Sequence, residues 1–455
     1  MKKKRGRFAA AAAVILLAAA IGWLAYEGNP AGSGESAAAG KAGSAGNIGN
    51  AGSVKSAGNA ASSGPTAGFS PVSSSGGEAD EPASTGTPQA SEVSSIQASA
   101  ASSSAPVSAA TPSPSPAAAA SPSPGAAAGS GSKLVPYRGT VEHIFFHPLI
   151  VYPELAFDGD SMAQGYFDWF VTVQEFRSIL ADLYRNNYIL IRLDALYGTR
   201  AGKDGKPEVY RQELLLPEGK KPLILSVDDN NYYDYMRQNG NIQKLVVAED
   251  GRVAGYAVDP EGNRITARDN EIVPLVDDFV AAHPDFSFNG AKGVLALTGY
   301  EGVLGYRTND PSSPAYAEEK AGAEQVIRQL KATGWTFASH GWGHRDANKI
   351  THAHLAQDTD RWLKEVGPLI GPTDVYIYPF GSSVDRDAAK LKLLKDRGFK
   401  VFCSVGPLPY LKITSEAMFM DRRHIDGMAL TQTPKRLAPL FDAAKALDPA
   451  RPKAK

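Results

Sequence analysis

Cysteine is almost absent from the sequence: among 455 residues there is one, Cys403. An intrachain disulfide, a cysteine-ligated zinc site and a CxxC redox pair are therefore excluded. Because Cys403 lies inside the hydrophobic run 401–405, we interpret it as an unreactive core residue. An excess of positive charge is also missing, since the formal net charge at pH 7 is −1. Nucleic-acid binding is therefore not expected.

Charged residues and hydrophobic periodicity are scarce in residues 28–134, which consist mostly of Ala, Gly, Ser and Pro. Such a segment buries too little apolar surface to offset the entropy lost on ordering, so we predict a disordered linker. The Ser-Pro alternation in 111–116 and 121–124 favours a stiffer, extended end of this linker. The remaining residues, 135–455, are enough for one large domain with its own core.

The N-terminus predicts export from the cytoplasm. Residues 1–7 are rich in Lys and Arg, and the uncharged apolar stretch 8–26 follows them. A basic segment before an apolar one is typical of an export signal, and the stretch approaches the ~20 residues that cross a bilayer. Because Trp23, Leu24 and Tyr26 crowd its end, we favour an uncleaved membrane anchor in residues 1–27, with a cleaved signal as the alternative. Either one predicts a domain outside the cytoplasm, at the cell surface.

The domain alternates apolar runs of strand length with amphipathic segments of helix length. The predicted strands are 141–146, 189–193, 222–227, 293–298, 335–339, 374–378 and 400–405. The predicted helices are 172–186, 272–283, 318–333, 352–369, 385–397 and 434–447. Two further runs, 244–257 and 264–266, flank the turn sequence 259–263 and predict a β-hairpin insertion. Repeated alternation predicts an α/β fold with a parallel sheet, and so many units favour a barrel.

Polar segments follow three of these strands, where parallel barrels place their active sites. Asp228 and Asp229 come directly after the predicted strand 222–227. One of these adjacent carboxylates can bind a metal while the other has a second role. The alternative is that the pair caps the N-terminus of a helix. His340 and His344 are four residues apart and converge on one ion if the segment turns helically. Otherwise they are surface histidines in a Gly-rich loop. The third segment, 376–381, is a loop that presents backbone N–H groups to an oxyanion, or an ordinary turn.

In this order and spacing, the segments resemble the polysaccharide deacetylase (NodB-homology) family, carbohydrate esterase family 4, over about residues 139–430. The start of the domain, 143–149, and the pattern of apolar residues and tyrosines within 176–188 resemble the branch of exported poly-N-acetylglucosamine deacetylases. The resemblance implies a distorted (β/α) barrel with fewer than eight units.

The same resemblance implies roles for individual residues. Asp229, His340 and His344 would bind a divalent metal, with zinc expected, because carboxylate and imidazole ligands suit it. Asp228 would be the general base, and the backbone N–H of Phe380 would donate to the oxyanion.

Two further roles, those of the general acid and of the cation that orients the base, each have two candidate residues. His424 is the candidate general acid, and His147 is its rival at the end of the first strand. Ile377 stands where many members have the arginine that orients the base. Arg422 or Arg423 would then have to replace that cation.

The function implied is a metal-dependent hydrolase that removes acetyl groups from N-acetylated, or O-acetylated, cell-wall or matrix polysaccharide. The expected partners are that polysaccharide and, through the N-terminal segment, the membrane, and we expect a monomer. The alternative is a catalytically inactive, glycan-binding relative at the cell surface. Tyr232, Tyr233 and Tyr235 either stack on sugar rings or pack in the core.

Overall fold

The computed structural model describes residues 133–203 and 205–453. The predicted anchor, 1–27, and all but the end of the predicted linker, 28–134, lie outside the described residues. Within the described ranges, no helix combines the length and the apolar composition needed to cross a membrane.

The described residues form sixteen β-strands. Their bounds are β1 Leu134–Pro136, β2 Glu142–Phe146, β3 Tyr188–Leu190, β4 Tyr197–Ala201, β5 Pro207–Arg211, β6 Leu215–Pro217, β7 Lys221–Asp228, β8 Lys244–Val247, β9 Val253–Val258, β10 Arg264–Ala267, β11 Val294–Leu297, β12 Thr336–Ser339, β13 Val375–Ile377, β14 Val401–Val405, β15 Tyr410–Ile413 and β16 Met418–His424.

The same residues form eleven α-helices. Their bounds are α1 Pro153–Ala156, α2 Ala163–Trp169, α3 Val173–Arg185, α4 Asp234–Gln238, α5 Ile272–Ala282, α6 Tyr316–Ala332, α7 His352–Glu365, α8 Gly367–Ile370, α9 Ala388–Asp396, α10 Gly427–Thr431 and α11 Ala443–Ala446.

Seven parallel strands close into a barrel. Their order is β11, β12, β13, β14, β16, β2 and β7, and β7 pairs again with β11 to complete the ring. β3 lies outside the ring beside β7, and β15 runs antiparallel to β16. The prediction of a distorted (β/α) barrel with fewer than eight units is confirmed.

The barrel strands are buried on both faces, as expected where helices cover a parallel sheet. In β7, Leu223, Leu225 and Val227 belong to the cluster packed under the helices, whereas Ile224 belongs to a second cluster inside the barrel. This alternation directs Ser226 and Asp228 to the same side as Ile224. Cys403 is fully buried in the inner cluster, as predicted, and burial raises the pKa of its thiol to about 12.

Helix α3 begins where the sequence predicts. The Thr172 hydroxyl accepts a hydrogen bond from the backbone N–H of Glu175, and the Glu175 carboxylate accepts one from the N–H of Thr172. Such a reciprocal capping box satisfies two N–H groups that the helix itself leaves without acceptors. The helix therefore starts at Val173 and ends at Arg185.

The insertion between β7 and β11 is a three-stranded antiparallel sheet in the order β10, β9, β8. The predicted run 244–257 is two strands, because the chain turns at Asp250 and Gly251, where Gly251 has a φ of 78°. The predicted turn at 259–263 joins β9 to β10, and the Asp259 carboxylate accepts a hydrogen bond from the N–H of Asn263.

Three predicted elements differ from those of the structure. The segment 434–447 is a 3-10 turn, Pro434–Arg436, followed by the short helix α11, because Pro439 interrupts it and Asp442 caps a new helix. The segment 352–369 is divided into α7 and α8 near Pro368. The predicted strand 189–193 ends at Leu190.

Candidate active site

The candidate residues follow successive strands of the barrel. Asp228 is the last residue of β7, His340 follows β12, the Pro379–Gly381 turn follows β13, and His424 is the last residue of β16. Since all these strands are parallel, their carboxyl ends meet on one face of the barrel. One pocket on that face is lined by Asp228, Asp229, His340, His344, Phe380, His147 and His424.

Asp229, His340 and His344 form a three-residue cluster whose ligand atoms all lie within 4.8 Å of one another. Nε2 of His344 is 3.6 Å from Oδ2 of Asp229. Nδ1 of His340 lies 2.8 Å from the carbonyl oxygen of Ile377, so its Nε2 is left for the pocket. A ring nitrogen bonded to a backbone carbonyl is the usual way to orient a metal-binding histidine.

The two histidines converge through a loop, not through the helical turn that the sequence suggested. Gly341 and His344 have φ values of 67° and 48°, in the left-handed region. The Asp358 carboxylate of α7 holds this loop by accepting hydrogen bonds from the N–H groups of Trp342, at 2.7 Å, and Gly343, at 2.8 Å.

The donor set fits a divalent transition metal. One carboxylate and two imidazoles are the ligands that catalytic zinc sites use, and three protein ligands leave a further position for water or substrate. His340 and Asp229 are buried, and burial lowers the pKa of His340 to about 4, which favours the neutral ring that a metal requires.

Asp228 is held by an arginine from another strand. Nη1 and Nη2 of Arg422 donate to Oδ1 and Oδ2 of Asp228 at 2.7 and 2.9 Å. Burial alone raises the pKa of Asp228, but the Arg422 guanidinium and His340 together hold it down at about 2. The carboxylate is therefore ionised at neutral pH.

The sequence offered Arg422 and Arg423 as the cation beside Asp228, and Arg422 is the one that binds it. Its Nη1 also donates to the Ser226 hydroxyl at 3.2 Å, and its guanidinium lies 4.1 Å from the centre of the Phe145 ring. Arg423 faces away and pairs with Glu142 at 3.1 Å. Ile377, where the family's arginine is expected, is fully buried in the inner cluster of the barrel.

His424 and His147 both line the pocket but have different partners. Nδ1 of His424 is 2.8 Å from Oδ2 of Asp426, whose other oxygen accepts the Ala429 N–H at the start of α10. Nδ1 of His147 is 3.0 Å from the carbonyl oxygen of Trp169. A carboxylate stabilises a protonated imidazole more than a neutral carbonyl does, so the geometry favours His424 as the acid.

Aromatic side chains form the sides of the pocket. Trp169 and Phe170 lie on one segment, and Tyr233, Tyr235 and Tyr300 on two others; we call these five residues the aromatic wall. Tyr233 stacks on Tyr300 with ring centres 4.6 Å apart and planes inclined by 14°. Of the three tyrosines singled out in the sequence, Tyr232 belongs to the main core and Tyr235 lines the pocket. Tyr233 does both, since it is buried in a smaller hydrophobic cluster and also borders the pocket.

Residues 308–402 match the family model for polysaccharide deacetylase. Over these residues the chain is similar to polysaccharide deacetylases. The matched segment includes His340, His344 and Phe380, whereas Asp228 and Asp229 precede it. No curated protein matches the sequence. The closeness to the poly-N-acetylglucosamine branch stays a prediction.

Solved structures of deacetylases are similar to parts of this chain at low identity. They include the Streptococcus pyogenes deacetylase PplD in complex with acetate, at 13% identity and a TM-score of 0.35, covering 66% of this chain and 99% of that one. The chitin deacetylase of the fungal pathogen Colletotrichum lindemuthianum is 12% identical with a TM-score of 0.22, covering 38% and 75%. At such values the likeness says nothing about the substrate of this chain.

Several residues that line the pocket were not predicted from the sequence. Trp169, Phe170 and Tyr300 lie in or beside segments without strand or helix periodicity, and nothing in their local sequence distinguishes them from core aromatics. Asp426 stands two residues after His424, and its spacing was the available signal for a histidine–carboxylate pair.

Proposed function

We propose that this protein is a metal-dependent deacetylase that removes acetyl groups from N-acetylated polysaccharide of the cell wall or matrix. The observation that supports this most directly is the cluster of Asp229, His340 and His344 next to an ionised Asp228. A binding module has no need for a positioned base beside a metal site.

Different residues of the chain have separate roles in the proposed hydrolysis. A divalent ion held by Asp229, His340 and His344 would polarise the acetamide carbonyl and increase the acidity of water. Asp228 accepts the proton of the attacking water, and Arg422 keeps its carboxylate oriented. The Phe380 N–H donates to the oxyanion from a turn in which Phe380 has a φ of 59°.

The His424–Asp426 pair favours an amide substrate over an ester. An amine leaves a tetrahedral intermediate only when it is protonated, whereas an alkoxide is the better leaving group and needs a proton less. His424 supplies that proton to the sugar nitrogen, and Asp426 stabilises the imidazolium beforehand. O-acetyl groups are therefore the secondary substrate class in this proposal.

A polysaccharide outside the cytoplasm fits the pocket and the sequence. The aromatic wall offers flat apolar faces of the kind on which pyranose rings stack, and Trp169, Tyr235 and Tyr300 are each partly exposed. The basic and apolar segments at 1–26 support export, and they lie outside the described residues.

The test is acetate release from chitooligosaccharides, peptidoglycan and acetylated xylan, together with metal analysis of the purified protein. We expect His340→Ala to lose bound metal and activity together, and Asp228→Asn to keep the metal while losing acetate release by ~10²–10⁴-fold. His354→Ala is the matched control, because His354 is exposed on α7 and should leave both unchanged.

Other outcomes would contradict the proposal. Full metal occupancy and turnover in His340→Ala would show that the ion is bound elsewhere. Wild-type protein that binds the oligosaccharides and metal but releases no acetate from any of them would favour the inactive, glycan-binding alternative.

A further inference from the structure

The Asp229 carboxylate has two oxygens in different surroundings. Oδ2 faces His344, at 3.6 Å from its Nε2. Oδ1 accepts a hydrogen bond of 2.7 Å from the hydroxyl of Tyr233. A metal ion between the two histidines would therefore meet one oxygen of this ligand.

Thr298, Tyr233 and Asp229 form a chain of hydrogen bonds in which each donor can be assigned. A carboxylate accepts hydrogen bonds and does not donate them, so the single Tyr233 hydroxyl proton is committed to Asp229. Oγ1 of Thr298 lies 2.7 Å from the Tyr233 oxygen and must then donate to it. The chain of protons runs from Thr298 through Tyr233 to Asp229, and all three residues are buried.

Other contacts fix both hydroxyl groups in place. The Asn231 side chain spans the backbone of Thr298, donating to its carbonyl oxygen at 3.0 Å and accepting from its N–H at 3.3 Å. The Tyr233 ring is stacked on Tyr300. Asp229 itself sits at a φ of 58°, a conformation that a non-glycine residue keeps only where its surroundings enforce it.

We propose that Tyr233, oriented by Thr298, is a positioning residue that restricts Asp229 to one-oxygen binding of the metal and thereby keeps a coordination position open for the reactants. This inference rests on the proposed function. Partners of this kind orient ligands before the ion arrives, and their loss typically lowers metal affinity 10–100-fold.

The experiment measures metal binding, not activity. Metal-free wild-type protein and Tyr233→Phe are titrated with Zn²⁺ against a chromophoric chelator, and with Co²⁺ while the visible absorption spectrum is recorded. We expect Tyr233→Phe to bind Zn²⁺ roughly 10–100-fold more weakly. The intensity of its Co²⁺ spectrum should fall, as it does when a freed carboxylate binds through both oxygens and raises the coordination number.

Tyr197→Phe is the matched control. Tyr197 donates to Oδ1 of Asp374 at 2.7 Å, so the variant loses the same kind of bond far from the cluster, and its metal affinity should equal that of the wild type. Thr298→Val removes the orienting hydroxyl but keeps the Tyr233 bond, and should weaken binding in the same direction by a smaller factor.

The outcomes separate this inference from the proposed function. Wild-type protein that binds no Zn²⁺ would refute the proposed function. Wild-type binding together with Tyr233→Phe of equal affinity and equal Co²⁺ spectrum would refute only the role of Tyr233. If Tyr233→Phe does not fold, Thr298→Val decides, and an affinity equal to the wild type overturns the inference.

Discussion

At the scale of single residues, the main finding is that Arg422 pairs with Asp228, whereas the family's arginine is absent at the position of Ile377. Arg422 reaches Asp228 from β16 with both guanidinium nitrogens, while Ile377 fills the place where the family's arginine would stand. Ile377 lies on β13 and Arg422 on β16, with β14 between them in the ring. Different strands of a barrel can present a cation to the same carboxylate, because their inward-facing side chains converge inside the ring. Asp228, the proposed base, therefore has a cationic partner although the segment 376–381 contains no arginine.

Replacing Arg422 should lower the rate of deacetylation while leaving substrate affinity nearly unchanged. Arg422→Lys keeps the charge but loses the two-pronged geometry, and we expect kcat to fall ~10-fold. Arg422→Met loses both, and we expect a fall on the order of 10². Steady-state kinetics of acetate release, with metal occupancy measured in parallel, separate kcat from KM.

The matched control is Arg397→Lys, since Arg397 binds Asp360 through two nitrogens on the surface, at 2.6 and 2.8 Å. That variant should have wild-type kinetics. Equal kcat in Arg422→Met and the wild type would mean that Asp228 does not depend on Arg422.

At the scale of elements, helix α5 begins with an unusual residue. Glu271 is fully buried, and one of its oxygens accepts hydrogen bonds from the N–H of Ile272, at 2.7 Å, and of Leu149, at 3.3 Å. Burial outweighs these bonds and raises the pKa of Glu271 to about 8. The carboxyl group is therefore mostly protonated in the folded protein at neutral pH.

The contribution of Glu271 to the stability of the domain should fall as the pH rises from about 4.5 to 8. In this window the folded state keeps a proton on Glu271 that the unfolded state has released, so this group lowers the free energy of unfolding as the pH rises. Glu271→Gln has no such proton, so its free energy of unfolding in urea should rise relative to that of the wild type between pH 5 and pH 9.

Glu261→Gln, in the exposed turn before β10, is the control and should follow the wild type. An identical pH dependence in the wild type and Glu271→Gln would show that Glu271 does not titrate between these values.

At the scale of the whole molecule, the two ends of the domain differ. β1 starts at Leu134 and pairs with β6, and the preceding tract has no apolar periodicity. Near the other end, buried Arg451 binds Glu175 through Nε at 2.6 Å and Nη2 at 2.7 Å. The same guanidinium donates to the carbonyl oxygens of Phe167 and Phe170, and so supports the segment that forms part of the aromatic wall.

A chain that starts at Ser132 should therefore fold and release acetate from soluble oligosaccharides as the full chain does. A chain that ends at Pro449 should be destabilised by about 3–5 kcal/mol, because it leaves Glu175 buried without its cation. Urea unfolding and acetate release measure both. Loss of folding in the first chain, or equal stability in the second, would contradict this account of the domain ends.

The sequence by itself determined the alternation of strands and helices, the capping of α3 and the strand-end positions of Asp228, Asp229, His340 and His344. These features depend on local rules, namely side-chain periodicity, cap hydrogen bonds and the direction of parallel strands. Only the tertiary structure decided that β16 is a barrel strand. In its sequence, Met418–His424, three apolar residues are followed by four charged or titratable residues in a row, which local rules would not assign to a buried strand. Arg422 is buried there because its partner, Asp228, lies 194 residues away in the chain, and no local pattern contains that pairing.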